Sequence, residues 1–430
     1  MDTSESLYRM KIVQSFWSKP LLKSNKKTYQ NRLNGGWPNL RYALAAMSYS
    51  CLTLKKYYND VELYTDDFGM HLFKDVLHLP YTRFHNVLNN LDMDESFWAY
   101  GKIVTYSLQD EPFLHIDNDI FISDKFPEKV EKAELAGQNI EWITPKATDD
   151  YTEALDFLRK NVPVCPKIIL DSECRQAINM GLFGGNNIEF IQRYARLAMN
   201  AIKDAEPYIL SKRGKDGAFN IIFEQLLLSE MAKEESIPTA YMIENNDSSD
   251  FSQYINLETA QFAVNYTHCV GLIKQCDLIC EQMEYRLRSE FPQQYRIILE
   301  YLDSQGMHYD VNEESMKYFD DFDRSYKKLK AYKTQEDVMT KGLFKLREDV
   351  SLDFDGDSYW LSRDGKSKKL ERWGSFLAYF QDYITGNELS NYIIEKKLAG
   401  DIDDAAIREN IFYLIVQNVY SNRFLEVKTD

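Results

Sequence analysis

The residues with the clearest chemistry lie in the stretch EPFLHIDNDIFISDKF, residues 111–126. There Asp117 and Asp119 separate the apolar runs at 113–116 and 120–122. A buried carboxylate without a partner costs on the order of several kcal/mol or loses its charge. Two acids at the end of a buried strand therefore indicate a positively charged partner, and a divalent cation bound by oxygen ligands is one candidate.

An EF-hand calcium loop does not explain these acids, because the sixth position counted from Asp117 lacks the glycine that the loop requires. The acidic stretch DFDGD at residues 353–357 also breaks the pattern, and its alternating flanks indicate a hairpin turn. An Asp-x-Asp pair alone also occurs by chance, with a surface loop or a helix cap as the structural alternative. A second motif is needed to decide.

That second motif is HCVGLIK, residues 268–274, which has the pattern His-x-x-Gly-x-x-Lys. The pattern places an imidazole ligand, a close approach of the backbone and a cation in one loop. His268, Gly271 and Lys274 together suit a divalent cation that bridges a diphosphate. A lone histidine at the end of a strand is the structural alternative.

The elements that would position these motifs alternate between strands and helices. The pattern predicts strands at 10–18, 60–67 and 113–119, and helices at 41–58 and 97–109. Such alternation indicates a parallel, doubly wound α/β sheet, in which ligands bind at the carboxyl ends of the strands. The two acids end a strand and should lie at that edge.

The segments between and after the two motifs are less regular. Residues 143–176 are interpreted as an insertion that covers the site, and residues 177–187 as a strand, a glycine turn and the start of a helix. Residues 260–274 are interpreted as a strand that runs into a loop. The polar, acidic stretch 312–337 is the best candidate for a linker.

The motifs follow one another in the order Asp117-x-Asp119, Asn179-x-Gly181, Glu224-Gln225 and His268 to Lys274. This ordered set resembles the metal-dependent GT-A glycosyltransferases, most closely the glycogenin and lipopolysaccharide-galactosyltransferase-like family. The resemblance covers residues 1–275 and implies a GT-A, Rossmann-like domain that binds a nucleotide-sugar. Glu224 stands where that family usually has Asp, and Gln275-Cys276 replaces its Pro-Trp.

The resemblance also implies roles for individual residues. It assigns Asp117, Asp119 and His268 to a Mn²⁺ or Mg²⁺ ion. It assigns Asn179, Glu224 and Gln225 to catalysis beside the transferred sugar. The implied contacts to the donor, with UDP as its nucleotide, are Gln14, Ser15, Phe16, Asp66, Lys102, Asp117, Gln138, Gly271 and Lys274. The residue types leave alternatives open: a helix N-cap for Asp66, a structural role for Glu224 and an exposed helix position for Gln138.

The end of the chain predicts a different module. Residues 276–338 are interpreted as a helical extension and linker, and residues 339–430 as two strands followed by three helices, a winged-helix-like domain. The segments ITGNELSNYIIEKKL and IFYLIVQNVYSNRFLEV resemble PqqD-like peptide-recognition modules. That resemblance implies a ribosomally made peptide whose leader adds a strand to the edge of a sheet. An accessory or dimerisation domain is the alternative.

The composition narrows the choice of partners. A net charge of −16 over 430 residues disfavours nucleic acid and anionic membranes as partners. No apolar run reaches the roughly 18–20 residues of a membrane span, and the first residues lack the pattern of a signal peptide. The six cysteines are scattered, without a Cys-x-x-Cys pair. These features indicate a cytoplasmic protein.

The sequence therefore predicts an enzyme, a metal-dependent glycosyltransferase that moves a hexose from a nucleotide-sugar to an acceptor. Retention of configuration follows from the family resemblance alone. Two alternatives remain. One is a transferase that builds cell-surface glycans. The other is a non-catalytic binding or scaffold protein on a degenerate GT-A fold.

Overall fold

The computed structural model describes residues 10–23, 33–144, 149–244, 252–309 and 313–428. Residues 145–148 of the predicted insertion and residue 312 of the predicted linker lie outside these ranges.

The chain divides into two compact units. The first comprises residues 1–255, 266–277 and 293–307, and the second comprises residues 256–265, 278–292 and 308–430. The division at residues 275 and 338 that the sequence suggests stays a prediction.

A seven-stranded sheet forms the centre of the first unit. Its strands are β1 (Lys11–Phe16), β2 (Val61–Thr65), β3 (Arg83–Asn86), β4 (Phe113–Ile116), β6 (Leu135–Gly137), β9 (Leu182–Gly185) and β10 (Thr239–Tyr241). The order is β10-β6-β9-β4-β1-β2-β3, and every pair is parallel except those of β9 with β4 and with β6. The prediction of a mixed α/β unit around a mainly parallel, Rossmann-like sheet is confirmed.

Two antiparallel strand pairs stand outside this sheet and carry site residues. One pair joins β5 (Ile120–Ile122) to β11 (Tyr266–His268), with His268 opposite Ile120. The other joins β7 (Ile140–Trp142) to β8 (Gln176–Ile178). Because β5 follows the Asp-Asn-Asp stretch directly, the first pair brings His268 to the two acids although the residues lie far apart in sequence.

Helices connect and cover the strands of the first unit. They are α1 (Ser18–Lys23), α2 (Leu40–Tyr57), α3 (Asp67–Gly69), α4 (Tyr100–Ser107), α5 (Glu128–Glu131), α6 (Asp149–Asn161), α7 (Lys167–Leu170), α8 (Ile188–Lys212), α9 (Phe219–Ile221), α10 (Leu227–Glu234) and α11 (Ser252–Ile255). π-Helical segments span Met70–Val76 and Ile222–Leu226, and 3₁₀ segments span Leu33–Gly36 and Gly271–Gln275. The predicted helices at 41–58 and 97–109 correspond to α2 and α4.

Residues 260–274 do not form the predicted strand. Ala260–Ala263 is a short helix, α12, and only Tyr266–His268 is extended before the 3₁₀ segment at Gly271–Gln275. Asn265 separates the two parts with a positive φ of 55°. Asparagine tolerates this conformation and interrupts the regular alternation that a long strand needs.

The predicted glycine turn within 177–187 is also wrong, because Gly184 and Gly185 lie inside β9. Gly184 has a φ of +154°, and a Cβ built there would lie 2.0 Å from the carbonyl oxygen of Phe113. Only glycine lets β9 approach β4 this closely. The glycine therefore holds the antiparallel strand against the strand that delivers Asp117.

The second unit contains two three-stranded sheets and several helices. The sheets are β16-β12-β17 and β13-β14-β15. Their strands are β12 (Leu343–Leu346), β13 (Ser351–Phe354), β14 (Tyr359–Arg363), β15 (Lys366–Lys369), β16 (Ile384–Thr385) and β17 (Leu425–Val427). The helices are α12 (Ala260–Ala263), α13 (Asp277–Glu290), α15 (Glu313–Leu329), α16 (Gln335–Lys341), α17 (Gly386–Glu395) and α18 (Asp404–Tyr420), with a 3₁₀ segment at Arg372–Tyr379. Helix α14 (Pro292–Ser304) belongs to the first unit except for Pro292.

Most of the polar stretch predicted as a linker is helical, because Glu313–Leu329 forms α15 and α16 begins at Gln335. Within α15, Phe322, Tyr326 and Leu329 recur at helical spacing and are buried in the core of the second unit. The charged residues of this stretch occupy the other face of an amphipathic helix. The predicted hairpin is present as β13 and β14, extended by β15. The winged-helix assignment stays a prediction.

No helix among the described residues is long and apolar enough to cross a membrane.

We predict that Gly184→Ala unfolds the first unit or lowers its free energy of unfolding by about 3 kcal/mol or more, because the added methyl group meets backbone that cannot move aside. Thermal unfolding followed by circular dichroism measures this. Gly374→Ala is the control, since a Cβ there would have only ordinary contacts with Leu370 at 3.8 and 3.9 Å. Equal unfolding midpoints for the two variants would contradict the role assigned to Gly184.

Candidate functional site

A cleft opens at the carboxyl ends of β1 and β4 in the first unit. One part of its lining is largely apolar and aromatic: Phe16, Trp17, Pro20, Leu21, Trp37, Met47 and Trp98. The other part includes the charged residues Lys102, Asp117, Asp119 and Lys274. The cleft thus combines surface for a ring system with groups for a cation and an anion.

A group of possible metal ligands adjoins this cleft. Asp117, Asp119 and His268 each offer one ligand atom, and these atoms lie within 4.8 Å of one another. The acids lie in the turn between β4 and β5, closed by a hydrogen bond from Ile120 N to Asp117 O of 3.2 Å. His268 ends β11, which pairs with β5. The predicted metal ligands are therefore brought together, and their carboxylate and imidazole atoms could hold a metal ion.

Gln138 determines which nitrogen of His268 faces the acids. His268 Nδ1 lies 2.6 Å from Gln138 Oε1, and Tyr266 donates its hydroxyl to the same oxygen, also at 2.6 Å. Because an amide oxygen can only accept, His268 carries a proton on Nδ1. In the neutral ring, Nε2 then points an unshared electron pair towards Asp119 Oδ1, 3.2 Å away. A cation between these two atoms would remove their repulsion.

Asp119 fits a metal ligand on a second observation. Its Oδ1 is buried and accepts no hydrogen bond from any described residue, so its 3.2 Å approach to His268 has the distance of an ion pair but not the geometry of a hydrogen bond. Its Oδ2 forms an ion pair with Lys274. Burial alone would raise the pKa of Asp119, but the ammonium group of Lys274 holds it well below its usual range. An ionised oxygen without a hydrogen-bond donor suits a hard or borderline divalent cation.

Gly181 leaves the room that the His268 ring occupies. A Cβ at this position would lie 2.4 Å from His268 Cε1 and 2.5 Å from Gln138 Oε1. Its carbonyl accepts a 2.9 Å hydrogen bond from Asp117 N. Gly181 therefore contacts both His268 and Asp117, two of the possible metal ligands.

Lys102 joins Asp117 to Glu224. Its Nζ lies 2.9 Å from Asp117 Oδ1, 3.1 Å from Asp117 Oδ2 and 2.8 Å from Glu224 Oε1. Burial lowers the pKa of Lys102, but the two carboxylates outweigh it, so the pKa lies above its ordinary value. Glu224 is buried in the π-helical segment and also accepts from Tyr106 at 3.3 Å. These contacts favour the structural interpretation of Glu224.

Asn179 and Gln225 meet through two residues that no sequence pattern indicated. Asn179 Nδ2 donates to Glu141 Oε1 at 2.6 Å. The hydroxyl of Tyr151 lies 2.6 Å from Glu141 Oε2 and 2.9 Å from Gln225 Oε1. Tyr151 belongs to the predicted insertion, so at least this residue of it reaches the site. Glu141 carried no signal beyond a charged side chain between Ile140 and Trp142, and Tyr151 lies in the polar stretch DDYTE without any signal.

The end of β1 contributes two of its three predicted residues to the lining of the cleft. Ser15 and Phe16 line the cleft, whereas Gln14 is fully buried beneath it. Gln14 Nε2 donates to Ser50 Oγ at 2.9 Å and to the carbonyl of Ile116 at 3.3 Å, and its Oε1 accepts from Tyr81 at 2.8 Å. These bonds tie β1 to the end of β4, so the geometry favours a positioning role for Gln14.

Two further residues that the resemblance assigned to the donor have their side chains engaged within the protein. Asp66 is the N-cap of α3: it accepts from Gly69 N at 2.9 Å and from the amide and hydroxyl of Ser18 at 2.8 and 2.7 Å. Gln138 is not on an exposed helix. It is fully buried just after β6 and orients His268. The donor contacts suggested for both stay predictions.

Lys274 and Gly271 have geometries compatible with an anion. Lys274 is buried and donates to the carbonyl of Gly35 at 3.0 Å in addition to its ion pair with Asp119. Gly271 has a φ of +51°, and a Cβ there would meet nothing within 4 Å. Its backbone is therefore approachable, and its conformation favours glycine.

Comparisons place the chain in a family without an assigned function. A model of a family of unknown function (DUF6734) matches residues 10–301, more than half of the chain. The chain belongs to that family. No curated protein matches it. The crystal structure of mouse xyloside xylosyltransferase 1 in its apo form is similar at 10% sequence identity and a TM-score of 0.29, over 54% of this chain and 84% of that one. A likeness at this level says nothing about activity.

For this DUF6734 protein we predict that Gly181→Ala weakens Mn²⁺ binding about 10- to 100-fold, because the methyl group displaces the His268 ring. Calorimetric titration with Mn²⁺ measures the affinity. Tyr266→Phe is the control: it removes the other donor to Gln138 Oε1 and leaves the His268 contact intact. Unchanged affinity in a folded Gly181→Ala protein would show that His268 does not bind the metal.

Proposed function

We propose that this protein is a metal-dependent glycosyltransferase that transfers a sugar from a nucleotide-sugar to an acceptor hydroxyl. One observation carries the proposal. Residues far apart in sequence, which the ordered motifs single out, converge at one cleft at the carboxyl ends of β1 and β4. They supply ligands for a cation, an ammonium group for a diphosphate and polar groups beside them. UDP-sugars are the first donor class to test, and retention of configuration is part of the proposal.

In this reaction the bond between the sugar C1 and the diphosphate oxygen breaks, and a bond from C1 to the acceptor oxygen forms. The nucleoside diphosphate leaves with the electron pair and takes up the proton that the acceptor hydroxyl loses. A bound Mn²⁺ or Mg²⁺ would act as a Lewis acid on the phosphate oxygens. Asp117, Asp119 and His268 would hold that ion. Lys274 would stabilise the charge that develops on the leaving diphosphate.

The other residues of the site bind or position groups in this scheme. Ser15 and Phe16 would contact the nucleoside at the end of β1, where both line the cleft. Asn179 and Gln225 would lie beside the transferred sugar. Glu224 would fix Lys102 and, through it, the carboxylate of Asp117. We place this activity in the cytoplasm, as the composition indicates.

We predict that Asp119→Ala lowers turnover about 100-fold or more while the protein stays folded, because a ligand of the ion is lost and the ionised oxygen of the cleft is removed. Incubation with Mn²⁺ and a panel of UDP- and GDP-sugars, with release of the nucleotide as readout, measures turnover. A chelator should abolish it in the native protein.

Asp75→Ala is the matched control, since Asp75 is exposed and pairs with His71 on the surface. Full turnover of Asp119→Ala would contradict the proposed metal site. Binding of a nucleotide-sugar by the native protein without release of nucleotide would instead favour the non-catalytic alternative.

The second unit offers a specific observation in favour of peptide binding. The strand β15, with sequence KSKK, ends the sheet β13-β14-β15, and no other described strand pairs with its outer side. Leu370 N donates to Tyr359 O at 2.8 Å, so by alternation Ser367 and Lys369 direct their backbone groups away from β14. A groove lined by Trp373, Tyr413, Leu414 and Phe424 adjoins this edge.

We propose that an extended acidic peptide pairs with this edge, as the leader of a peptide acceptor would. Backbone hydrogen bonds would supply affinity and the groove would take apolar side chains. Lysines at 366, 368 and 369 favour acidic residues in the peptide. Ending the chain near residue 338 is a poor test, because Phe262, Tyr285 and Phe322 share one core with residues of the last ninety positions.

We predict that the native protein enriches acidic peptides from a displayed random library and that Ser367→Pro does not, because proline removes an outward N–H. Sequencing of the retained peptides measures enrichment. Phe354→Pro, in the opposite edge strand β13, is the control and should enrich as the native protein does. Enrichment that survives Ser367→Pro and is lost in Phe354→Pro would assign binding to the β13 edge and contradict the proposal.

A further inference from the structure

Glu141 is a carboxylate of the first unit for which neither the motifs nor the family resemblance supplied a role. Each of its oxygens accepts one hydrogen bond, from Asn179 Nδ2 and from the hydroxyl of Tyr151, both at 2.6 Å. Among the described residues, no lysine or arginine forms an ion pair with it. Burial raises the pKa of Glu141, and the two hydrogen bonds oppose that change. A buried carboxylate without a cationic partner has to satisfy its remaining electron pairs with other donors.

The position of Glu141 relative to the metal ligands follows from two chains of contacts. On one side Glu141 contacts Asn179, whose Oδ1 accepts from Gly181 N at 2.9 Å, and Gly181 packs on the His268 ring. This chain ends at one ligand of the possible metal ion.

The second chain of contacts leads from Glu141 to Asp117, another of the possible metal ligands. Tyr151 joins Glu141 to Gln225, the neighbour of Glu224, and Glu224 pairs through Lys102 with Asp117. Glu141, Tyr151, Asn179 and Gln225 therefore form one polar cluster that contacts connect both to His268 and to Asp117.

The hydrogen-bonding capacity of the cluster shows which chemistry it could recognise. Tyr151 has one proton and two acceptors within reach, Glu141 Oε2 and Gln225 Oε1. A carboxylate is the stronger acceptor, so the proton goes to Glu141. Gln225 is partly exposed, and its amide nitrogen has no partner among the described residues. The cluster thus combines acceptors that lack donors with an amide donor that lacks an acceptor.

We infer that Glu141, Tyr151, Asn179 and Gln225 bind hydroxyl groups of the transferred sugar, and that this sugar is neutral. This inference rests on the proposed function and adds the class of donor to it. Neighbouring hydroxyls both donate and accept, which matches the cluster. A uronic acid would bring a second carboxylate to Glu141, where no cation compensates either charge. Glu141 is therefore a residue that selects neutral sugars against uronic acids.

The experiment compares affinities for UDP, UDP-glucose, UDP-galactose and UDP-glucuronate by calorimetry in the presence of Mn²⁺. In the native protein we expect at least one neutral UDP-sugar to bind more tightly than UDP-glucuronate. Glu141→Gln should weaken the preferred neutral sugar about tenfold or more, since a hydrogen bond to a charged group is lost, and leave the affinity for UDP unchanged. The same variant should also show a smaller difference in affinity between that neutral UDP-sugar and UDP-glucuronate.

Two further variants separate an effect on sugar binding from an effect on folding. Tyr151→Phe keeps the ring and removes the hydroxyl shared by Glu141 and Gln225. It should therefore lower the affinity for the neutral UDP-sugar and leave the affinity for UDP unchanged. Glu128→Gln makes the same chemical change on the surface, where Glu128 pairs with Lys132, and should alter nothing. Thermal unfolding of each variant reports its folding.

The outcomes separate this inference from the proposed function. If the native protein binds none of the four ligands, the inference fails, whereas the proposed function fails only if the turnover assay with UDP- and GDP-sugars is negative as well. If it binds a neutral UDP-sugar with the same affinity after Glu141→Gln and after Tyr151→Phe, the proposed function stands and the inference is wrong. A preference of the native protein for UDP-glucuronate would also overturn the inference.

Discussion

The site depends on the burial of Asp119 next to His268. A buried ionised carboxylate is tolerated only when its charge is balanced close by, and Lys274 balances one of its two oxygens. The other oxygen faces a histidine nitrogen whose proton has been drawn to the far side of the ring by Gln138. A divalent cation would satisfy both atoms at once. The elements around this pair serve to hold it in place.

Backbone geometry fixes the positions of both Asp119 and His268. The antiparallel pairing of β5 with β11 fixes the separation of His268 from the acids. Gln14 links β1 to the end of β4, so the turn that carries the acids is held from below. Gly181 and Gly184 permit the close approach of two neighbouring segments, where any side chain would clash. Metal sites generally need such outer support to keep their ligands at the right distance.

The sequence predicted the parts of this site that are local in the chain. The alternating elements predicted the mainly parallel sheet, and Asp-x-Asp and His-x-x-Gly-x-x-Lys predicted residues that the structure brings together. Glu141 and Tyr151 lie in no motif, because their importance arises only from contacts across the fold. The linker predicted from the charges at 312–337 failed for a related reason. A run of charge hides the apolar face of an amphipathic helix when Phe322, Tyr326 and Leu329 are three or four positions apart.

The charges of the cleft lead to the same ion that the motifs suggest. Asp117 and Asp119 line the cleft, and contacts join the carboxylates of Glu141 and Glu224 to the same site. Among the described residues, Lys102 and Lys274 form ion pairs with carboxylates of this set. Lys102 is committed to Asp117 and Glu224, because its three close contacts use the three protons of an ammonium group. Lys274 is shared between Asp119 and a carbonyl oxygen. With His268 neutral and all four carboxylates ionised, the cleft and the carboxylates joined to it carry two negative charges more than positive ones. A divalent cation would cancel this excess, and an anionic diphosphate approaching the cleft without one would be repelled. The charge balance and the motif order are separate observations, and both indicate a divalent cation in this cleft.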